Sequence, residues 1–126
     1  MNEQSKMQLV FGSALLVITI VLGIWLGRAG KPYSTAIFTV HKLAALATAV
    51  LISVFIYHLL GNASATSLVI ALIIVGVLCI LALFITGALM STDNAAYSLL
   101  KTIHIIATFF AVAAGGGTVL LLSKMR

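Results

Sequence analysis

Four apolar runs divide the chain, at residues 7–26, 36–60, 68–90 and 99–123, and the polar and charged residues collect between them and at the ends. Each run holds 20 or more residues, enough at about 1.5 Å per residue to cross a hydrocarbon core of about 30 Å. A backbone in lipid must satisfy its own hydrogen bonds, so a spanning run is either a helix or a strand of a closed barrel. These runs lack the polar–apolar alternation of barrel strands and predict helices. The expected fold is all-α, an integral membrane four-helix bundle, with residues 1–126 as a single transmembrane domain.

Composition agrees with this reading: 63% of the residues are hydrophobic and only 7% are charged. The net charge is +5, but the basic residues are scattered rather than striped, which fits contact with anionic lipid headgroups and not nucleic acid. The first run is read as a retained helix rather than a cleaved leader. It is long, has Glu3 and Lys6 ahead of it, and is followed by Gly27-Arg28-Ala29-Gly30-Lys31 without a small-x-small cleavage pattern. The single cysteine, Cys79, lies mid-run, can form no intrachain disulfide and reads as a small buried apolar residue. The expected location is a membrane of the prokaryotic plasma-membrane type. Basic residues are nearly balanced across it: Lys6, Lys124 and Arg126 on the side of the termini, Arg28 and Lys31 on the other. Lys42 and Lys101 can snorkel toward the 27–35 and 91–98 connections and tip those to the cytoplasmic side.

His41 and His104 are 63 residues apart, half the length of the chain. Their surroundings match, with Thr39-Val40-His41 followed by Ala44 and Thr102-Ile103-His104 followed by Ala107. A shift of about the same size lays the first run on the third and the second on the fourth. It brings Gly23 within one residue of Gly87 and puts Tyr33 and Tyr97 in the connections ahead of the histidine helices. Two repeated helical hairpins are expected, at about 7–60 and about 68–123. An even number of spans separates the copies, so they share an orientation and their pseudo-two-fold axis runs along the membrane normal. The histidines can then face each other across that axis.

Each histidine stands above a stripe of small residues at helical spacing: Ala44, Ala45 and Thr48 below His41, and Ala107, Thr108, Ala111 and Gly115 below His104. The first run carries Gly12, Thr19, Gly23 and Gly27 on roughly one face, and the third carries Gly76 and Gly87. Such residues permit close approach of a neighbouring backbone or of a flat ligand; for Gly23 and Gly27 alone, ordinary helix packing is the simpler account. The Gly115-Gly116-Gly117 run lies inside an apolar span and reads as packing, not as a phosphate loop.

A histidine in hydrocarbon is costly and marks either a functional site or an interhelical hydrogen bond. The repeated pair favours a shared ligand. Zinc calls for about four ligands, yet the only acids are Glu3 and Asp93, outside the spans, and Cys79 is turns away from the histidine level. Haem asks for two axial protein ligands and an apolar surround, which two neutral imidazoles on facing helices supply. No Cys-x-x-Cys-His sequence is present, so the covalent c-type attachment is excluded and b-type haem remains. Its propionates would point to the nearer surface, where Lys101, Arg28, Lys31 and Lys42 can meet them.

At these residues the chain resembles the transmembrane cytochrome b core of respiratory and photosynthetic bc-type complexes, a four-helix bundle with histidine ligands on its second and fourth helices. Its first and third helices carry glycines that make room for the porphyrin. His41 and His104 match the ligand positions of one haem, and Gly23 and Gly87 match the glycine positions. The likeness covers all four spans but rests on few residues. That family usually carries a second histidine about two heptads farther along each ligand helix. Here Val54 or Phe55 and Thr118 stand in those places, so the resemblance implies one haem b per chain. His58 is 17 residues beyond His41, on another face and near the opposite interface. It reads as an interfacial or partner-contacting residue, with a proton-coupled role at a quinone site as the alternative.

The leading expectation is a small b-type cytochrome that passes single electrons within the bilayer, an electron-transfer protein rather than a self-contained enzyme. With a single haem toward one face, a quinone, a redox partner protein or a homodimer must supply the rest of the path. Filled axial positions argue against oxygen chemistry. The alternatives are a non-redox accessory subunit, a small transporter, and haem sensing or transfer. A small multidrug transporter depends on an intramembrane acid, which this chain lacks.

Overall fold

A computed structural model of the chain describes residues 2–61, 63–92 and 96–125. Four helices follow in order: α1 (Glu3–Ala29), α2 (Thr35–Leu60), α3 (Ser67–Met90) and α4 (Tyr97–Lys124), with no strand among the described residues. All four are long and apolar enough to cross a membrane, and the fold is compatible with a multi-pass membrane protein. Asp93 and Arg126, used above in reading charge and orientation, lie outside the described residues.

The helices reach to or slightly past the ends of the apolar runs, and polar caps mark several of those ends. Asn2 caps α1 by accepting from the Ser5 N–H at 2.8 Å, and Glu3 sits in the first turn, where the helix dipole favours an acid. Gly30 ends that helix with a φ of 72°, and its N–H donates to the Leu26 carbonyl. Thr66 caps α3, while Ser91 and Thr92 give their hydroxyl protons to the Ala88 and Leu89 carbonyls at its far end. Inside the helices, Thr48, Thr108 and Thr118 each donate to the carbonyl four residues back. A hydroxyl in hydrocarbon is thereby satisfied without leaving its own helix.

The chain divides into two compact units, one ending at Tyr57 and the other beginning at His58. In the first, Gly12 lies against Ile52 and Gly23 against His41, so α2 runs antiparallel to α1. In the second, Gly76 lies against Ala114, Gly117 against Leu72 and Gly87 against His104, so α4 runs antiparallel to α3. The most deeply buried side chains, Leu59, Val69, Thr118 and Leu122, all belong to the second unit, at the end away from His104.

Small and hydroxylated residues share the buried positions with Leu26, Phe55, Leu59, Val69 and Leu122. Buried positions are often small or hydroxylated, among them Ser5, Gly12, Ala44, Thr48, Thr86, Ala107 and Ala114. Large apolar side chains such as Phe11, Trp25, Leu43, Leu78 and Phe109 are exposed. In a membrane, lipid would solvate that surface, and association would then rest on close packing of small residues instead of water exclusion.

The packing predicts a contrast between two truncations. Leu122→Ala, at a side chain with 0% exposure, opens a cavity and is expected to destabilise toward the lower end of about 2–5 kcal/mol, because lipid removes the transfer contribution. Phe109→Ala, at 74% exposure, is expected to leave thermal stability in detergent nearly unchanged. Thermal unfolding followed by helix content checks both.

Candidate functional site

His41 lies six residues into α2 and His104 seven residues into α4, about 9–11 Å along each axis. Both imidazoles are half-buried, and each turns toward the preceding helix. The His41 Nδ1 is 3.0 Å from the Thr19 carbonyl oxygen on α1. A carbonyl only accepts, so Nδ1 carries the proton and donates it; in the neutral ring Nε2 then holds the lone pair.

Gly23 opens the way to that carbonyl. The helical C=O of residue 19 points along the axis toward residue 23, so a side chain at 23 stands over it. A Cβ there would lie 3.1 Å from His41 Cε1 and 3.7 Å from Nδ1. The space left by the missing side chain is taken up by the imidazole edge.

His104 has a different partner. Its Nδ1 is 2.8 Å from Thr86 Oγ1 on α3, and that hydroxyl is 2.7 Å from the Ala82 carbonyl. Gly87 again faces the ring, although a Cβ there would meet His104 Cε1 at an ordinary 3.5 Å. Thr86 was missed by the sequence reading. Its signal was its place immediately before Gly87, the residue that the repeat pairs with Gly23.

Of the stripe residues, Ala44, Thr48 and Ala107 are buried, and Ala45, Thr108 and Ala111 are half-buried. Thr48 Oγ1 lies 3.5 Å from Thr19 Oγ1, while each hydroxyl gives its proton to a carbonyl of its own helix. The polar atoms of Thr19 and Thr48 thus gather on the α1–α2 seam near His41. Thr108 donates back to the His104 carbonyl at 2.8 Å.

Arg28, Lys42 and Lys101 lie toward the histidine end of their helices, and Lys6 and Lys124 toward the other. Arg28 is exposed in the last turn of α1, and Lys101 is half-buried one turn before His104. The Lys42 ammonium lies 4.2 Å from the Phe38 ring centroid, and Phe38 stacks on Tyr33. His58 is exposed in the last turn of α2, about 25 Å along the axis from His41. Cys79 is a half-buried free thiol a little over two turns from Gly87 on α3. Among the described residues, no three His, Cys, Asp or Glu side chains gather into a metal-binding group.

No family model, curated protein or solved structure matches the chain.

The two glycines are expected to differ under the same substitution. In Gly23→Ala the new methyl meets His41 Cε1 at 3.1 Å, so the ring must give by a few tenths of an ångström against its bond to the Thr19 carbonyl, whereas Gly87→Ala places its methyl at van der Waals distance. Alanine gains about 1 kcal/mol of helix propensity at either site. Gly87→Ala is therefore expected to hold or raise the detergent melting temperature, and Gly23→Ala to shift the His41 ring resonances and give up that gain. Paired melting curves and histidine NMR spectra check this.

Proposed function

We propose that this chain is a small membrane b-type cytochrome in which His41 and His104 would hold one haem. The observation that carries the reading is how the two rings are tied: each Nδ1 lies within hydrogen-bond distance of an oxygen on the neighbouring helix, 3.0 Å from the Thr19 carbonyl and 2.8 Å from Thr86 Oγ1, an arrangement in which a proton on Nδ1 leaves the Nε2 lone pair as the donor. Imidazoles that bind metals are oriented in this way, with the far nitrogen tied to a carbonyl or another acceptor. The donor set of two neutral imidazoles among apolar and small side chains fits a bis-histidine haem and falls short of a zinc centre.

Haem b, when bound, supplies a one-electron couple between ferric and ferrous iron. The residues of the chain do the rest. His41 and His104 would hold the haem through Nε2, with each Nδ1 tied to the neighbouring helix at the Thr19 carbonyl or at Thr86 Oγ1. Gly23 and Gly87 let the rings close on α1 and α3. Ala44, Ala45, Thr48, Ala107, Thr108 and Ala111 keep the ligand faces slim, and Arg28 and Lys101 offer charge-assisted partners to the propionates.

The two-repeat architecture, with its axis along the membrane normal, belongs to the same proposal. It is supported by parallel positions: glycines 12 and 23 face α2 as glycines 76 and 87 face α4, and Leu59 and Leu122, 63 residues apart, are both buried. A single haem near one face of a prokaryotic-type plasma membrane calls for a quinone, a partner redox protein or a second copy to extend the electron path.

A second reading draws on the same hydrogen bonds. Imidazoles tied to adjacent helices can serve only to clamp each hairpin, as in a non-redox accessory subunit.

A reduced-minus-oxidised absorption spectrum of the detergent-purified protein, expressed with ample haem, separates the two. Sharp b-type bands in the wild type, lost in both His41→Ala and His104→Ala, are expected. A colourless wild type removes the cytochrome reading and leaves the clamp.

A further inference from the structure

The two histidines reach their acceptors by different routes. His41 donates straight to a backbone carbonyl, Thr19 O. With α1 laid on α3 by the offset that pairs Gly23 with Gly87, the carbonyl equivalent to Thr19 O is that of Leu83, and the position of Thr86 is held in α1 by Leu22. In α3 the Leu83 carbonyl is 3.3 Å from Thr86 Oγ1, which is itself 2.8 Å from His104 Nδ1. A side-chain hydroxyl thus bridges His104 to the carbonyl end of the turn that His41 touches directly in its own hairpin.

That hydroxyl is buried, with 5% of Thr86 exposed, and has a single proton. Oγ1 lies 2.7 Å from the Ala82 carbonyl and 3.3 Å from that of Leu83. Neither carbonyl can donate, so the close oxygen–oxygen approach commits the hydroxyl proton to them. Toward His104 the oxygen presents only lone pairs. A donating hydroxyl is also polarised into a better acceptor.

We propose that Thr86 is the positioning residue for His104, holding the proton on Nδ1 so that Nε2 is presented as the metal-binding nitrogen. As a statement about iron ligation this rests on the haem reading above; as a statement about the ring it stands on α3 and α4 alone. It makes the two ligands unequal: the His41 tautomer is set by backbone, and the His104 tautomer by one replaceable side chain. Other threonines in the helices make the same turn-back bond and satisfy themselves with it, so the contact to His104 is an added, directional use of the Thr86 oxygen.

The test uses the full chain, labelled with ¹⁵N-histidine, in detergent without added haem, with signals assigned by His41→Gln and His58→Gln. Wild-type His104 is expected to read as the Nδ1–H tautomer. Thr86→Val keeps the shape and removes the acceptor; it is expected to lower the Nδ1–H to Nε2–H ratio at His104 about tenfold, roughly the worth of one hydrogen bond. His41 should not change, and Thr86→Ser should restore the wild-type ratio. In protein loaded with haem, potentiometric titration of Thr86→Val is expected to move the midpoint to a more positive value than in wild type or Thr86→Ser, because an imidazole whose Nδ1–H lacks an acceptor donates less electron density. A wild-type His104 in the Nε2–H form overturns the proposal without any variant. A ratio unchanged in Thr86→Val, or an unchanged potential once haem is bound, overturns it as well. Should the chain take no haem, the cytochrome reading fails, and the tautomer ratio alone decides whether Thr86 positions His104.

Discussion

In hydrocarbon a polar side chain must find its partner on its own helix or on the next one, and the histidines of this chain depend on the second route. A threonine hydroxyl can turn back to the carbonyl four residues behind it, as Thr48 and Thr118 do. An imidazole at the middle of a helical face reaches across instead. Each histidine therefore requires a neighbouring helix at close range, an acceptor at the right height, and no side chain in between. Gly23 and Gly87 meet the last condition and the antiparallel hairpins the first two.

The same constraint accounts for where the bulk of the molecule lies. In lipid no water drives large side chains inward, and glycine, alanine, serine and threonine hold many of the buried positions, with Leu26, Phe55, Leu59 and Leu122 as large exceptions, while many other large apolar side chains face outward. Close seams bring backbone carbonyls within reach of the rings. Packing and ligand orientation are thus consequences of one choice of residue size. The best-buried leucines and Thr118 sit at the far end of the second unit, which keeps the tight packing apart from the histidine level.

Within this shared plan the two histidine environments are not copies. One ring is tied to the backbone of α1, the other to a hydroxyl on α3 that is itself tied to the backbone. If an ancestral hairpin was duplicated, as the proposed repeat requires, Thr86 in place of a residue like Leu22 is where the second copy acquired a side-chain control over its ring. In the proposed cytochrome that difference falls on the axial ligands, the groups through which a protein most directly sets the potential of its iron.

The sequence by itself determined the number of helices and their apolar extents, since long uninterrupted runs admit no other spanning structure. It also singled out His41, His104, Gly23 and Gly87 through their near-equal spacing. Hydropathy could not place every helix end: α1 continues past its apolar run at both ends, to the caps at Asn2 and Gly30, and α3 begins one residue ahead of its run, after the Thr66 cap. Nor could it name the acceptors. Thr19 contributes a backbone oxygen, which any residue carries, and Thr86 matters only because α3 and α4 pack at one rotation and one axial register. Helices that are apolar all round do not encode that rotation in their hydropathy; it is decided by which small residues meet when the hairpins close, and only the tertiary structure records the outcome.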